Sequence, residues 1–177
     1  MALKDAIKEN HDKAEQHPFV KVLLSGEIPL PAYADLLLNQ FFCYTKLEEL
    51  AHEKGLLNGI EDICRGPSIE FDFIDLAQTG NVHPSTVKYV EYVNTVPDDK
   101  LMAHIYARHF GDLYGGQMIK KVIPGQGSMY QFDNRAELIS KVRERLSDDL
   151  GDEANRAMEF NLSLFDEIAD AHHISAT

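Results

Sequence analysis

The chain has 177 residues, with 29 Asp and Glu against 17 Lys and Arg and a formal net charge of −12. That length supports one sizeable core, so a single domain over residues 1–177 is expected. A composition of 44% hydrophobic and 26% charged residues excludes collagen-like, disulfide-scaffold and wholly disordered chains, while the acidic excess disfavours nucleic acid. Cys43 and Cys64 stand outside any CxxC pair; with no signal-peptide pattern at Met1 to Lys4, they read as reduced thiols in the cytosol, and a cytoplasmic location is expected. No apolar run approaches the roughly 20 residues that span a bilayer, and the tail from Ala171 to Thr177 reads as no anchor, so no membrane partner is expected.

Apolar residues recur at helical spacing in nearly every segment bounded by Pro or Gly. Leu3, Ile7 and Ala14 predict a first helix that His17-Pro18 ends or kinks, because the residue before proline avoids the α region. Pro31, tolerated in a first turn, opens a second helix, amphipathic throughout, whose stripe of Leu36, Leu37, Gln40, Phe41, Tyr44, Leu47 and Leu50 runs to about Lys54. Short helices follow over 68–77 and 84–94. Asp98 or Asp99 is a candidate N-cap for a long helix from Lys100 to about Val122, which Pro124-Gly125-Gln126-Gly127 breaks. A helix over 135–146 and a last one over 152–171, with Ala154, Ala157, Phe160, Asn161, Leu164, Phe165 and Ile168 inward, complete the pattern. Met129 to Phe132 is too short to imply a sheet, and no stretch sustains period-two alternation. The expected fold is all-α, a single-domain helical bundle of six to eight helices.

The informative stretch is His104 to Lys121, where helical periodicity runs through Gly111, Gly115 and Gly116. Each glycine costs about 1 kcal/mol relative to alanine inside a helix, so something must offset the sum. Gly111 and Gly115 are four apart and share a face. A bare backbone groove of this kind admits a closely packed partner helix or a flat ligand, and the glycine pair also allows a bend.

His11 falls on the stripe of Ile7 and Ala14 and is expected to face inward, with Glu15 one turn later where a carboxylate can approach the imidazole. Metal-bound histidines commonly give their second ring N–H to such an acceptor, although a satisfied core histidine shows the same pattern. His104 shares a face with Arg108 and Gly111 and competes for a ligand role, whereas His172-His173 falls in an expected frayed tail. Walker, GxGxxG, GxSxG and HExxH motifs are absent, and ExxH occurs once, at Glu49 to His52, where a di-iron bundle needs it twice.

The run His11-Asp12-Lys13-Ala14-Glu15-Gln16-His17-Pro18-Phe19-Val20-Lys21 resembles the proximal-helix motif of heme oxygenase. His104 to Lys121 resembles its distal-helix signature, with an aromatic-x-Arg triplet ahead of Gly-Asp-Leu-Tyr-Gly-Gly-Gln and a lysine pair behind. Tyr33 to Leu50 and Asn155 to Phe165 extend the resemblance over almost the whole chain. It implies heme held between a proximal and a distal helix, as cofactor and substrate at once. The implied reaction is oxidative cleavage by O2 and external electrons to biliverdin, as the IX-alpha isomer, with CO and Fe2+. By position, the resemblance makes His11 the axial ligand of heme iron and Glu15 its partner, and lays Gly111 and Gly115 against the porphyrin. It makes Asp112 the carboxylate that holds distal water and helps deliver protons, and Tyr106 and Arg108 distal-pocket positions. It places Lys4 and Arg143 near the propionates and makes Asn161 a polar pocket residue. Ferredoxin is the implied electron donor for bilin synthesis and a bilin reductase the downstream partner, as in the compact members of photosynthetic bacteria, plastids and their phages; for a phage chain the cytoplasm is the host's. A heme-binding or heme-transfer protein without turnover, on the same fold, is the alternative reading. Thiamin-processing enzymes of similar all-α fold are disfavoured by the His11/Glu15 pair and the glycine-rich motif.

Three positions depart from the family pattern. Tyr114 stands where serine is usual, Ile139 where a propionate-facing lysine is common, with Lys141 near enough to substitute, and Met158 where an aromatic is usual. All three bear on heme orientation. Because propionates and ferredoxin are acidic, an acidic chain must meet them locally, and Lys4, Lys8, Arg108, Lys120, Lys121, Lys141, Arg143 and Arg145 predict a basic collar around the heme edge.

Overall fold

Proline and glycine punctuate the chain much as expected, and the segments between them coil into helices. The structure, a computed structural model, describes residues 1–175; Ala176 and Thr177, the end of the expected unanchored tail, lie outside the described residues. These form α1 (Leu3–Ala6), α2 (Lys8–Gln16), α3 (Pro18–Ser25), α4 (Leu30–Glu53), α5 (Gly66–Asp75), α6 (Pro84–Val93), α7 (Met102–Ile105), α8 (Gly111–Lys120), α9 (Arg135–Glu144) and α10 (Gly151–Ala171). A π turn over Tyr106–Phe110 joins α7 to α8, and no strand occurs among the described residues. None of the described helices is long and apolar enough to cross a membrane, and both cysteines are free thiols.

The helices exceed the six to eight expected because two expected helices are subdivided and because Pro18 opens a further helix, α3, where none was expected. The first breaks at Ile7, whose φ of −97° and ψ of −1° separate α1 from α2. The segment after Pro97 runs as a 3-10 turn over Asp98–Lys100, then α7, the π turn and α8. Neither Asp98 nor Asp99 caps a long helix: Leu101 occupies the N-cap of α7, without a side-chain cap. At His17 the expected stop holds. Its extended backbone ends α2, and its Nδ1 accepts the Phe19 N–H at 3.1 Å, capping α3.

Helix α4 is the axis of the molecule, packed against α5, α6, α7 and α10. Residues 32–37 are buried without interruption, so this part of α4 is covered all round and not amphipathic. Buried polar groups there are paired. Asp35 Oδ1 accepts the Asn81 N–H at 2.8 Å, while Oδ2 meets His83 Nε2 at 2.9 Å and His172 Nε2 at 3.0 Å. His172 is therefore fastened to the start of α4, which corrects the frayed tail expected for His172-His173.

Glu48, near the other end of α4, is the buried anchor of the α5 N-terminus. It accepts the N–H groups of Arg65 at 2.6 Å and Gly66 at 2.9 Å and meets His109 Nε2 of the π turn at 2.7 Å. A carboxylate at a helix start satisfies orphan donors and complements the helix dipole. Two apolar clusters form along α4, one mainly on its first half and one on its second. One gathers Leu47, Tyr89, Leu101, Ile105, Leu113 and Val142; the other gathers Phe19, Leu37, Ile69, Tyr130, Leu164 and Ile168. Each fully buried side chain of this size stabilises the fold by about 1.5–3 kcal/mol. Helix α10 lies across the bundle and receives α2 and α3, with Asn10 Nδ2 donating to Asn155 Oδ1 at 3.1 Å and Asn155 Nδ2 donating to Ala6 O at 3.0 Å.

Candidate functional site

A π turn takes in one residue more than an α turn and often marks a functional site. Here it lets Arg108 and His109, adjacent in sequence, both point into the protein. Arg108 is 3% exposed; its Nη1 donates to Gln40 Oε1 at 3.0 Å and to Asn161 Oδ1 at 2.9 Å, and its Cζ lies 4.0 Å from the centre of the Tyr89 ring. Arg108 and Asn161 thus stand together inside the wall that carries the π turn, with α4 and α10 supplying their partners.

One turn further, Asp112 is held from behind. The Tyr44 hydroxyl donates to Asp112 Oδ2 at 2.6 Å and lies 3.3 Å from the Arg108 carbonyl. Burial pushes the Asp112 carboxyl up to about 6, against the Tyr44 hydrogen bond and the nearby His109, Arg65 and Arg108, which favour its charged form. It is a carboxyl poised to take up or release a proton near neutrality, fixed at one oxygen.

The glycines divide between the two uses open to them. A Cβ built on Gly116 would meet Tyr130 Cδ1 at 2.7 Å, so this glycine permits close packing. A Cβ on Gly111 or Gly115 would meet nothing within 4 Å. That face of α8 presents bare backbone beside Asp112 and packs against no part of the chain. Tyr106 adds an aromatic wall on the preceding turn, its ring 5.3 Å from Phe110, which is in turn 4.8 Å from Tyr114.

Helix α2 carries the ligand candidate. The His11 side chain is 56% exposed, so the inward orientation expected from its stripe is not the one adopted. Its Nδ1 lies 3.6 Å from Glu15 Oε1, beyond hydrogen-bond length but close enough to orient the ring. His11, Asp12 and Glu15 bring one donor atom each within 4.8 Å of one another. His104, the competitor, has 0% exposure, its Nδ1 is engaged by the Tyr89 hydroxyl at 2.8 Å, and burial holds its imidazole down to about 3. Only His11 of the two is placed to meet a ligand from outside.

The expected basic collar is smaller than the sequence suggests. Arg108 is buried, and Arg145 is spent on the carbonyls of Leu56 and Asn58. Lys8 pairs with Asp12 at 2.7 Å, Lys141 with Glu137 at 2.9 Å, and Lys120 is bonded to Gln131. Lys141 also reaches the Gly59 carbonyl at 3.3 Å, across a cleft of about 140 Å³ lined by Glu61, Asp62, Asn134 and Glu137. Lys4 sits on α1, and Arg143 donates to the Tyr114 hydroxyl.

Tyr44, Gln40 and Tyr89 complete the polar network and were not singled out by sequence reasoning. The signal was present for two of them: Gln40 and Tyr44 interrupt the otherwise apolar stripe of α4, and a polar atom on a buried stripe needs a partner.

A family model described as heme oxygenase matches residues 1–167. The chain is 32% identical to heme oxygenase of Rhodella violacea, over 95% of this chain and 86% of that one. It is 28% identical to heme oxygenase 2 of Oryctolagus cuniculus over 96% of its own residues, but spans 65% of that protein's length. Among solved structures it resembles heme oxygenase-1 from the cyanobacterium Synechocystis in complex with heme, with 27% identity, a TM-score of 0.79, and coverage of 97% of this chain and 94% of that one.

Proposed function

Since this chain belongs to the heme oxygenase family, we propose that it binds heme between α2 and α8 and cleaves it oxidatively to biliverdin, CO and Fe2+. The observation that carries the reading is the open face of Gly111 and Gly115 beside Asp112. A side chain there would occupy the space a flat macrocycle needs, and no protein atom takes its place. The exposed imidazole of His11 suits an iron ligand, and Glu15 is near enough to steer its ring.

When bound, heme supplies the redox iron, the site for O2 and the carbon skeleton that is broken. The chain supplies position and protons. His11 would hold heme from α2, and the bare backbone at Gly111 and Gly115 would leave room for it on the α8 side. Asp112, with Oδ2 tied to Tyr44, keeps Oδ1 for a water or a proton at the distal side, and its upward-shifted carboxyl can exchange that proton near pH 7. Arg108 and Asn161 act from within the wall by holding the π turn that aims Asp112. Tyr106 contributes an aromatic side to the distal pocket, and Lys4, Lys141 and Arg143 are the cations available to the propionates. Family resemblance supports ferredoxin as electron donor, a bilin reductase as consumer of the product, the IX-alpha isomer and a cytoplasmic setting.

The test is heme titration followed by reduction. Heme should give a His-ligated Soret spectrum that His11→Ala loses. Ferredoxin with its reductase, in air, should then bleach the Soret band as biliverdin absorption grows. A Soret band that persists through reduction would favour the heme-carrier alternative.

A further inference from the structure

Arg143 belongs to α9 but its guanidinium ends on α8. It donates to the Tyr114 hydroxyl, and its Cζ lies 5.4 Å from the centre of the Tyr114 ring and 5.7 Å from that of Phe110. Neutral groups alone hold it: Arg143 forms no ion pair among the described residues, whereas Lys8 and Lys141 are each neutralised by a carboxylate one turn away. A guanidinium carries five N–H donors in one plane, so the bond to Tyr114 leaves a positive, directed edge for an anion. Tyr114 itself is 44% exposed and directly precedes Gly115, whose face is open. An exposed tyrosine tying down an otherwise unpaired arginine at the rim of an open groove is not explained by the needs of the core.

We propose that Tyr114 is a positioning residue: it fixes where Arg143 presents its charge along the groove and so selects the in-plane orientation in which heme is seated. The inference rests on the heme reading above. Heme is apolar except for two propionate carboxylates on one edge, so a cation fixed at one point favours one rotation of the ring about its normal. An arginine free to swing serves several rotations almost equally, and which ring carbon faces Asp112 follows from the rotation chosen. Tyr114 stands where the family pattern has serine, too short to reach in the same way, so this device belongs to this chain.

The test uses the full chain loaded with heme and three variants: Tyr114→Phe, which removes the hydroxyl alone, Arg143→Ala, and the double substitution. Heme affinity is read from Soret titration, and the ratio of heme seatings from the heme-methyl proton resonances of the ferric cyanide complex. Tyr114→Phe is expected to change the titration by no more than a few-fold while raising the minor seating several-fold, with a matching change in the mixture of biliverdin isomers. Arg143→Ala should raise the minor seating likewise, with the added loss of affinity that removing a propionate cation brings, and the double variant should match Arg143→Ala alone. An unchanged seating ratio in Tyr114→Phe overturns the proposal. So does a further shift on adding Tyr114→Phe to Arg143→Ala, because Tyr114 would then act through its ring or the helix and not through the arginine. Absence of a Soret band in the unmodified chain would overturn the heme reading itself, and this inference with it.

Discussion

The hydroxyl of Tyr44 on α4 donates to Asp112 Oδ2 on α8 at 2.6 Å, joining the buried axis of the molecule to the rim of its open groove. The bond favours the charged carboxylate, but burial outweighs it and lifts the carboxyl from 3.8 to about 6. The folded chain therefore keeps this proton at a pH where the unfolded chain has lost it. Stability falls as pH rises from about 4 to about 6, by on the order of 3 kcal/mol in all, and the loss is complete above that window. Asp112→Asn removes this dependence. Denaturant titrations of both proteins across the window should show the variant gaining on the parent and the gap then levelling; a gap independent of pH would contradict the assignment.

His104 has the opposite sign. Burial first, and the charge of Arg108 second, push its imidazole down to about 3. Below the ordinary value of 6.5 the unfolded chain takes up a proton that the folded chain refuses, so this residue destabilises the fold progressively as pH drops toward 3. His104→Gln should flatten the acid limb of the stability curve even if it lowers stability at neutral pH. An acid limb as steep as the parent's would show that other groups drive acid unfolding.

The three glycines of α8 should respond differently to one methyl group. Gly116→Ala drives a Cβ to 2.7 Å from Tyr130, and overpacking of about 1–3 kcal/mol exceeds the helix-propensity gain of about 1 kcal/mol. Gly111→Ala and Gly115→Ala meet open space and should gain up to about 1 kcal/mol in stability while weakening heme uptake. Thermal melts and Soret titrations should move in opposite directions for these two positions and together for Gly116.

Removing the charge of Glu48 should cost about 3 kcal/mol, since its carboxylate serves two backbone donors at the start of α5 and the buried His109 at once. Urea unfolding of Glu48→Gln measures the loss. An undiminished midpoint would mean the three donors find other partners.

Helix limits at α4, α6, α9 and α10 were legible because proline, glycine and a long apolar stripe agree there. The π turn was not, because Tyr106 to Phe110 has the same local pattern as an α-helix and its extra residue is set by where Arg108 and His109 find partners on other helices. Burial of Arg108 was hidden for the same reason: an arginine near the end of an apolar pattern reads as a surface cation until Gln40, Tyr89 and Asn161 are brought around it. Spacing alone gave Gly111, Gly115 and Gly116 a shared ambiguity, which only Tyr130 resolves. The motif around His11 named the residue but not its exposure, since a stripe on α2 does not show which of its sides another helix covers, and Asn10 is the residue buried there.

The docking of α2 also sets a timescale. Of its own residues only Asn10 is buried, and its polar tie to the rest of the molecule runs through Asn155 of α10. A helix with so little buried surface opens at a small fraction of the free energy needed to unfold the bundle. Amide hydrogens of residues 8–16 should therefore exchange with deuterium well before those of α4, without help from denaturant. A large flat molecule held against α2 is then expected to leave by the brief detachment of one short helix, and Asn155→Ala should quicken both exchange and heme release while leaving the shape of the groove unchanged.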